Sequence, residues 1–372
     1  MANLTKRIIL AGVLIAAPAA LLADDPAAPA PAPAPAAARP SFDADGTVRV
    51  PAFELPPSAF ISPEALAQQK ARAKMGLPIM DTSRAEMSAA DSRKALARYL
   101  QPQVDRYLRH FAVDVSETTI AGVPARIVSP RGGKADPRRV LINLHGGAFT
   151  TCWESCSLIE SVPIAAIGNY KVISVNYRMG PEATHPAALE DVEKVYRDLL
   201  KRYKPAQIGV FGCSAGGALT AQLGAWLPRR GLPQPAALGI FGAGAVRFGA
   251  GDSAWIASAI DGSFPAPAKP GEKAPDMTKG YFSGADMGDE VLSAALHPAV
   301  IGKFPPSLII TGTRAMDMTP AIFTNSKLLE AGVKSTLIVG EGMGHCYIYS
   351  EDLPEARAAW KVIVRHFREN LK

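Results

Sequence analysis

The sequence predicts an α/β fold, in which a mostly parallel sheet is covered by helices on both faces. Three observations carry this. Short, continuously apolar runs recur along the chain, as suits strands buried on both sides. Between them lie stretches whose apolar residues fall three to four positions apart, the helical spacing. Two of the runs end in glycine-rich segments, where strand would pass into helix. The chain has 372 residues, of which 48% are hydrophobic and 20% charged, so it is not disordered throughout. Its net charge of +6 comes from 40 basic and 34 acidic side chains. No Lys/Arg block is long enough for a nucleic-acid surface, so no nucleic-acid partner is expected.

The first residues read as an export signal. Lys6 and Arg7 precede a sixteen-residue apolar run, 8–23, interrupted by Pro18. A membrane span needs about 20 apolar residues, so the run suits a removable signal better than an anchor. Residues 1–23 are therefore expected to be a signal peptide, cut between Ala19 and Ala27. The protein would then be periplasmic or secreted, with no stable membrane span once the signal is removed. Residues 24–45, rich in Ala and Pro, read as a disordered, solvated linker.

Residues 46–110 contain helix-forming stretches at 62–74 and 85–100 and are assigned to N-terminal cap helices. Residues 111–246 and 301–372 form the expected core. Its strands are read at 139–145, 171–176, 207–211, 307–311 and 334–339. One helix follows Pro186, with Leu189, Val192, Tyr196, Leu199 and Tyr203 on one face. Another starts at Thr319-Pro320 and should end at Gly332. The last starts at Pro354 and carries Ala356, Trp360, Ile363, Phe367 and Leu371 as a stripe. Residues 247–300 break the alternation and are assigned to a cap insertion over the functional edge of the sheet.

The strongest chemical signal is Gly212-Cys213-Ser214-Ala215-Gly216-Gly217, between a strand and a helix. That is the context a G-x-S-x-G nucleophile elbow requires. The strand reverses within a few residues, the flanking glycines leave room for neighbouring backbone, and the serine hydroxyl is pushed into the open. The structural alternative is a glycine-rich helix start used for packing or phosphate binding. The second signal is His145-Gly146-Gly147-Ala148-Phe149, after an earlier strand. Acyl transfer creates an oxyanion, and such a loop can aim backbone N–H groups at it. The third is Gly342-Met343-Gly344-His345, after the last strand. A serine hydroxyl needs a base, and of the six histidines only His345 lies in a Gly-flanked loop at a strand end. His145 is read as bracing its loop, His185 and His297 as turn residues, and His110 and His366 as surface or packing residues.

Together these segments resemble the hormone-sensitive-lipase-like group of α/β-hydrolase carboxylesterases. His145–Phe149 is similar to that family's HGGGF motif and 212–217 to its GDSAGG; 177–191 is similar to its YRLAPE…FPAALED stretch. The likeness extends over roughly 115–370. It implies an α/β-hydrolase fold with an eight-stranded, mostly parallel sheet and a helical cap. It also implies that the N–H groups of Gly147, Ala148 and Ala215 form the oxyanion hole.

Three departures matter. Ala148 stands where the family has a third glycine. A left-handed backbone there would cost alanine roughly 1–2 kcal/mol, so an ordinary negative φ is expected. Cys213 replaces an acidic residue beside the serine. The family's carboxylate would fall at position 315, which is alanine. Asp317, on the same loop, is taken as the catalytic acid, with Asp252 and Glu341 as fallbacks, and the loop must be reshaped for it to reach His345.

Cys152 and Cys156 could form a disulfide if the backbone brings their Cα atoms within about 7 Å. Cys213 and Cys346 are read as small buried packing residues. No metal-ligand spacing is present, and no cofactor is called for. The expected activity is a serine carboxylesterase acting on short- to medium-chain esters, with catalytic Ser214, Asp317 and His345. Phe149, Trp153 and Trp255 are the expected pocket walls. The partner is a small-molecule ester; exposed sheet edges or cap helices could support a homodimer. The rivals are a serine peptidase or amidase on the same fold, and a hydrolase-shaped binding protein with an impaired triad.

Overall fold

The computed structural model describes residues 39–75, 87–133, 135–261, 264, 266–268 and 276–372. The expected signal peptide, and the linker as far as residue 38, lie outside them. Residues 39–54 belong to a unit of their own. Within it β1 (Ser41–Phe42) pairs antiparallel with β2 (Val48–Arg49), and Arg49 meets Asp43 at 2.7 Å.

The second unit is built on an eight-stranded sheet. Its strands are β3 (Val113–Ile120), β4 (Val123–Pro130), β5 (Val140–Leu144), β6 (Lys171–Val175), β7 (Ile208–Cys213), β8 (Ala237–Phe241), β9 (Ser307–Gly312) and β10 (Ser335–Gly340). They lie in the order β10-β9-β8-β7-β5-β6-β4-β3. Only β4 runs against its neighbours, β3 and β6; the other pairings are parallel. The helices are α1 (Pro63–Met75), α2 (Ala89–His110), α3 (Trp153–Gly168), α4 (Ala187–Leu199), α5 (Ala215–Arg229), α6 (Asp252–Ile260), α7 (Pro298–Ile301), α8 (Met318–Glu330) and α9 (Pro354–Asn370).

The apolar strands feed two cores because successive side chains point to opposite faces. Along β5, Val140, Ile142 and Leu144 enter one core with α4, α5 and α8. Leu141 enters the other, with α2, α3 and α9. A sequence run with no polar face is therefore what this sheet demands.

Where the sequence reading fell short, the cause is local. β3 is largely exposed and reads Val-Asp-Val-Ser-Glu-Thr-Thr-Ile, so it lacks the apolar run of a covered strand. β8 is short and contains Gly239, where a Cβ would lie 2.6 Å from the Phe241 ring. α2 was expected to stop at 100, before Pro102; it continues to His110. Proline removes one helical hydrogen bond, but beyond it Val104 and Tyr107 are buried, and Tyr107 packs at 5.9 Å against Trp360 of α9. Tertiary packing outweighs the local break. Ser88 caps the start of α2, accepting from the Asp91 N–H at 3.1 Å.

Two elements lie over the end of the sheet that carries His345. From α1, Gln69 donates to the Gly342 carbonyl at 3.1 Å, and Arg72 pairs at 3.2 Å with Asp261, which follows α6. No helix among the described residues is long and apolar enough to cross a membrane.

Candidate active site

Ser214 sits between β7 and α5 with φ 60° and ψ −122°, a strained conformation for a residue with a side chain. The glycines around it explain how the bend fits. A Cβ on Gly212 would lie 2.1 Å from the Leu144 carbonyl oxygen, and one on Gly216 would lie 1.7 Å from the same atom. Side chains at either position would drive the elbow off β5. The bend projects the Ser214 hydroxyl toward His345, whose Nε2 lies 2.9 Å from Oγ.

The other ring nitrogen, Nδ1, lies 2.5 Å from Asp317 Oδ1. Asp317 is fully buried, and its second oxygen accepts from the Thr311 hydroxyl at 2.6 Å. The reshaping the alanine at 315 requires is visible in the chain. After β9 the backbone turns back on itself, the Ala315 N–H donating to the Gly312 carbonyl at 3.1 Å, which tucks Ala315 into the interior. Asp317 then lies at the cap position of α8, facing His345. Asp252 and Glu341, the fallback acids, are exposed. Phe248 and Phe264 stand edge-on to the imidazole, with ring centroids 5.6 and 5.0 Å away.

The glycine loop after β5 meets the serine from the other side. Gly147, Ala148 and Phe149 all have positive φ, at 112°, 53° and 57°. The expected negative φ of Ala148 is therefore wrong. The loop must turn sharply enough for the Gly147 carbonyl to accept from Thr150 and Thr151 N–H at 2.9 and 3.0 Å, and that holds Ala148 left-handed despite its methyl group. Among the described residues, the N–H groups of Gly147, Ala148 and Ala215 donate to no protein acceptor. His145 braces this loop: it is buried, stacks on Tyr177 at 4.4 Å, and burial pushes its pKa down to about 4, so it is neutral at ordinary pH.

A cavity of about 110 Å³ opens beside Ser214. Phe149 lines it as expected. Trp153 and Trp255 do not. Trp153 begins α3 and lies under the Arg126 guanidinium at 4.5 Å, facing a separate cavity of about 460 Å³. Trp255 is 47% exposed, because α6 buries Ser253, Ala254 and Ala257 instead. The cavity wall is mostly apolar, with Val246, Phe248, Phe264, Phe282 and Leu292 in it; Arg247, Thr278 and Gln222 of α5 add polar side chains.

Two features escaped the sequence reading. Cys213 and Cys346 are not separate packing residues; they form a disulfide, with Cα atoms 6.3 Å apart. It joins the residue before Ser214 to the residue after His345. The loop after β10 folds back over Gly242 at the end of β8, where a Cβ would lie 2.8 Å from Cys346 Sγ and 3.1 Å from Cys213 Sγ. Cys152 and Cys156 form a second disulfide, with Cα atoms 5.2 Å apart, at the start of α3.

The other feature is Glu160, buried in α3 behind the site. Its carboxyl accepts from the backbone N–H of Gly146 at 2.9 Å and of Cys213 at 3.2 Å, from Asn143 at 2.8 Å and from the Tyr349 hydroxyl at 2.5 Å. One side chain thus ties the glycine loop, the elbow and the segment after His345. Burial pushes its pKa up to about 7 against the pull of these donors. A signal was present: Glu160 is the one charged residue between Glu154 and Lys171, in a helix whose second half is otherwise largely apolar. No group of metal-ligating side chains occurs among the described residues.

Comparison with known proteins agrees with this fold. The profile of a family described as alpha/beta hydrolase fold matches residues 141–349. The chain is 30% identical over 262 residues to an esterase, LipU, of Mycobacterium tuberculosis, covering 69% of this chain and 86% of that protein. It is 29% identical over 232 residues to an acetyl-hydrolase of Streptomyces hygroscopicus, covering 60% of this chain and 73% of that protein. It spans only 39% and 30% of two curated relatives that are 37% identical to it; the second is an arylacetamide deacetylase of Oryctolagus cuniculus. The crystal structure of esterase E25 superimposes with a TM-score of 0.73 at 26% identity, covering 87% of this chain and 99% of that one. An esterase from the bacterial hormone-sensitive lipase family shares the fold, with a TM-score of 0.70 at 24% identity over 84% of this chain and 99% of that one. The chain belongs to the α/β-hydrolase fold family.

Proposed function

We propose that the protein is a serine carboxylesterase that hydrolyses short- to medium-chain esters through an acyl-enzyme. The observation that carries this reading is the continuous relay Ser214–His345–Asp317, at 2.9 and 2.5 Å, opening on an apolar cavity. His345 Nε2 takes the proton as Ser214 Oγ attacks the ester carbonyl. Asp317 holds Nδ1–H, which fixes the tautomer and favours the imidazolium that forms. The amides of Gly147, Ala148 and Ala215 receive the oxyanion. His345 then protonates the leaving alcohol, and water releases the acyl group by the same route. The cavity beside Ser214, about 110 Å³ with a largely apolar wall, suits short- to medium-chain acyl groups.

Export to the periplasm or beyond is part of this proposal. It rests on Lys6, Arg7 and the apolar run, and two disulfides in one chain suit an oxidising compartment.

The test is hydrolysis of p-nitrophenyl acetate and butanoate. The wild type should turn both over, Ser214→Ala should abolish turnover, and Asp317→Asn should lower kcat by up to about 10⁴-fold. Near-normal kcat in Asp317→Asn would remove that residue from the mechanism. Faster cleavage of an acetanilide than of its matched ester would favour an amidase, the activity suggested by the name of the rabbit relative.

A further inference from the structure

The acyl cavity is not uniformly apolar. Ala215, Ala218 and Gln222 lie on one face of α5 and line it in succession. Gln222 is 5% exposed, and its side-chain oxygen has no hydrogen-bond partner among the described residues. Arg247 and Thr278 also border the cavity, but among its described lining residues only Gln222 has a buried side-chain oxygen with no partner; hydrocarbon could fill against the apolar wall but not against this amide. A buried polar group left against hydrocarbon weakens binding by about tenfold or more compared with one that finds a partner.

We propose that Gln222 is a specificity-determining residue, and that the pocket takes acyl groups carrying a hydroxyl or keto oxygen on about the third to fifth carbon. This rests on the serine esterase reading and names the substrate class for the same site. The position follows from helix geometry. Gln222 lies two turns beyond Ser214, roughly 12 Å along α5, and its side chain leans back toward the helix start by about one turn. Its amide therefore meets the acyl chain a few carbons beyond the reacting carbonyl. The terminal torsion of glutamine is broad and two-fold, so the amide can offer its oxygen to a hydroxyl donor or its N–H to a keto acceptor. A hydrocarbon chain of the same length fills the same space and leaves the amide unpaired. Discrimination then comes from pairing rather than size.

The experiment compares kcat/KM for matched p-nitrophenyl esters: butanoate with 3-hydroxybutanoate, pentanoate with 4-oxopentanoate, and hexanoate with 5-hydroxyhexanoate. Each ratio is taken within the wild type and within Gln222→Met, with Gln222→Leu as a second apolar replacement. Ratios cancel any loss of folded enzyme. The wild type should favour at least one polar ester by about tenfold, and that ratio should fall to about one or below in the variants. Ratios at or below one throughout the wild type, or a preference that survives in both variants, would overturn the proposal. Hydrolysis of p-nitrophenyl acetate, which carries no group for Gln222 to read, separates the two claims. If acetate is cleaved and the ratios are flat, only the Gln222 proposal fails. If acetate is not cleaved, the esterase reading falls and takes this one with it.

Discussion

Ala148 and Glu160 show how single residues depart from what their neighbours in sequence suggest. Ala148 occupies a left-handed backbone at φ 53°, a conformation a glycine adopts without steric cost. Ala148→Gly should therefore raise stability by up to about 1 kcal/mol, the steric relief being partly offset by the added freedom of the unfolded chain. Urea unfolding measures this, and a destabilised variant would mean that the methyl group packs usefully in the pocket wall. Glu160 makes a pH-dependent prediction. Its folded pKa of about 7 lies above the ordinary carboxyl value, so the folded state holds the proton more tightly than the unfolded chain does. The stabilisation is full below about 4.5 and is lost as the pH rises through about 7, a change on the order of 3 kcal/mol. Urea unfolding between pH 4.5 and 7.5 should lose this slope in Glu160→Gln. A variant with the wild-type slope would assign the pH dependence to other groups.

At the scale of elements, the glycine turns were legible and the cross-links were not. Strand, turn and helix start lie within ten residues of one another around Ser214, so their order in sequence already constrains the geometry. Asp317 was legible for the same reason, being on the loop that leaves β9. The Cys213–Cys346 bond was hidden because 133 residues separate its ends and each cysteine, read alone, is an ordinary small buried residue. β3 was hidden by its exposed edge position, and the length of α2 by a proline that packing overrides. The cross-link carries its own prediction. Closing so long a loop restricts the unfolded chain by up to about 5 kcal/mol in the chain-entropy account, against about 2 kcal/mol for the five-residue loop of Cys152–Cys156. Cys213→Ala/Cys346→Ala should therefore lower Tm more than Cys152→Ala/Cys156→Ala. The reverse order would mean that the long-range bond adds little to what the sheet already holds in place.

Over the whole molecule, a parallel sheet gathers distant residues at one edge. The loops after β5, β7, β9 and β10 carry Gly147, Ser214, Asp317 and His345, and they converge because those strands run in the same direction. That convergence could be read from the alternation of strands and helices. The pocket walls could not, since Phe248, Phe264 and Gln222 come from segments with no shared motif, and their meeting depends on how α5 and the residues after β8 pack. Trp153 and Trp255 were plausible as large side chains near the right loops, yet a helix start turned one away and an exposed helix face carries the other. The central claim is that one activated hydroxyl does the chemistry. Its most direct measurement is intact-mass and peptide mapping after treatment with a fluorophosphonate. The account predicts a single adduct on Ser214, formed in step with loss of ester hydrolysis and absent in Ser214→Ala. An adduct on another residue, or full hydrolytic activity with Ser214 blocked, would contradict it.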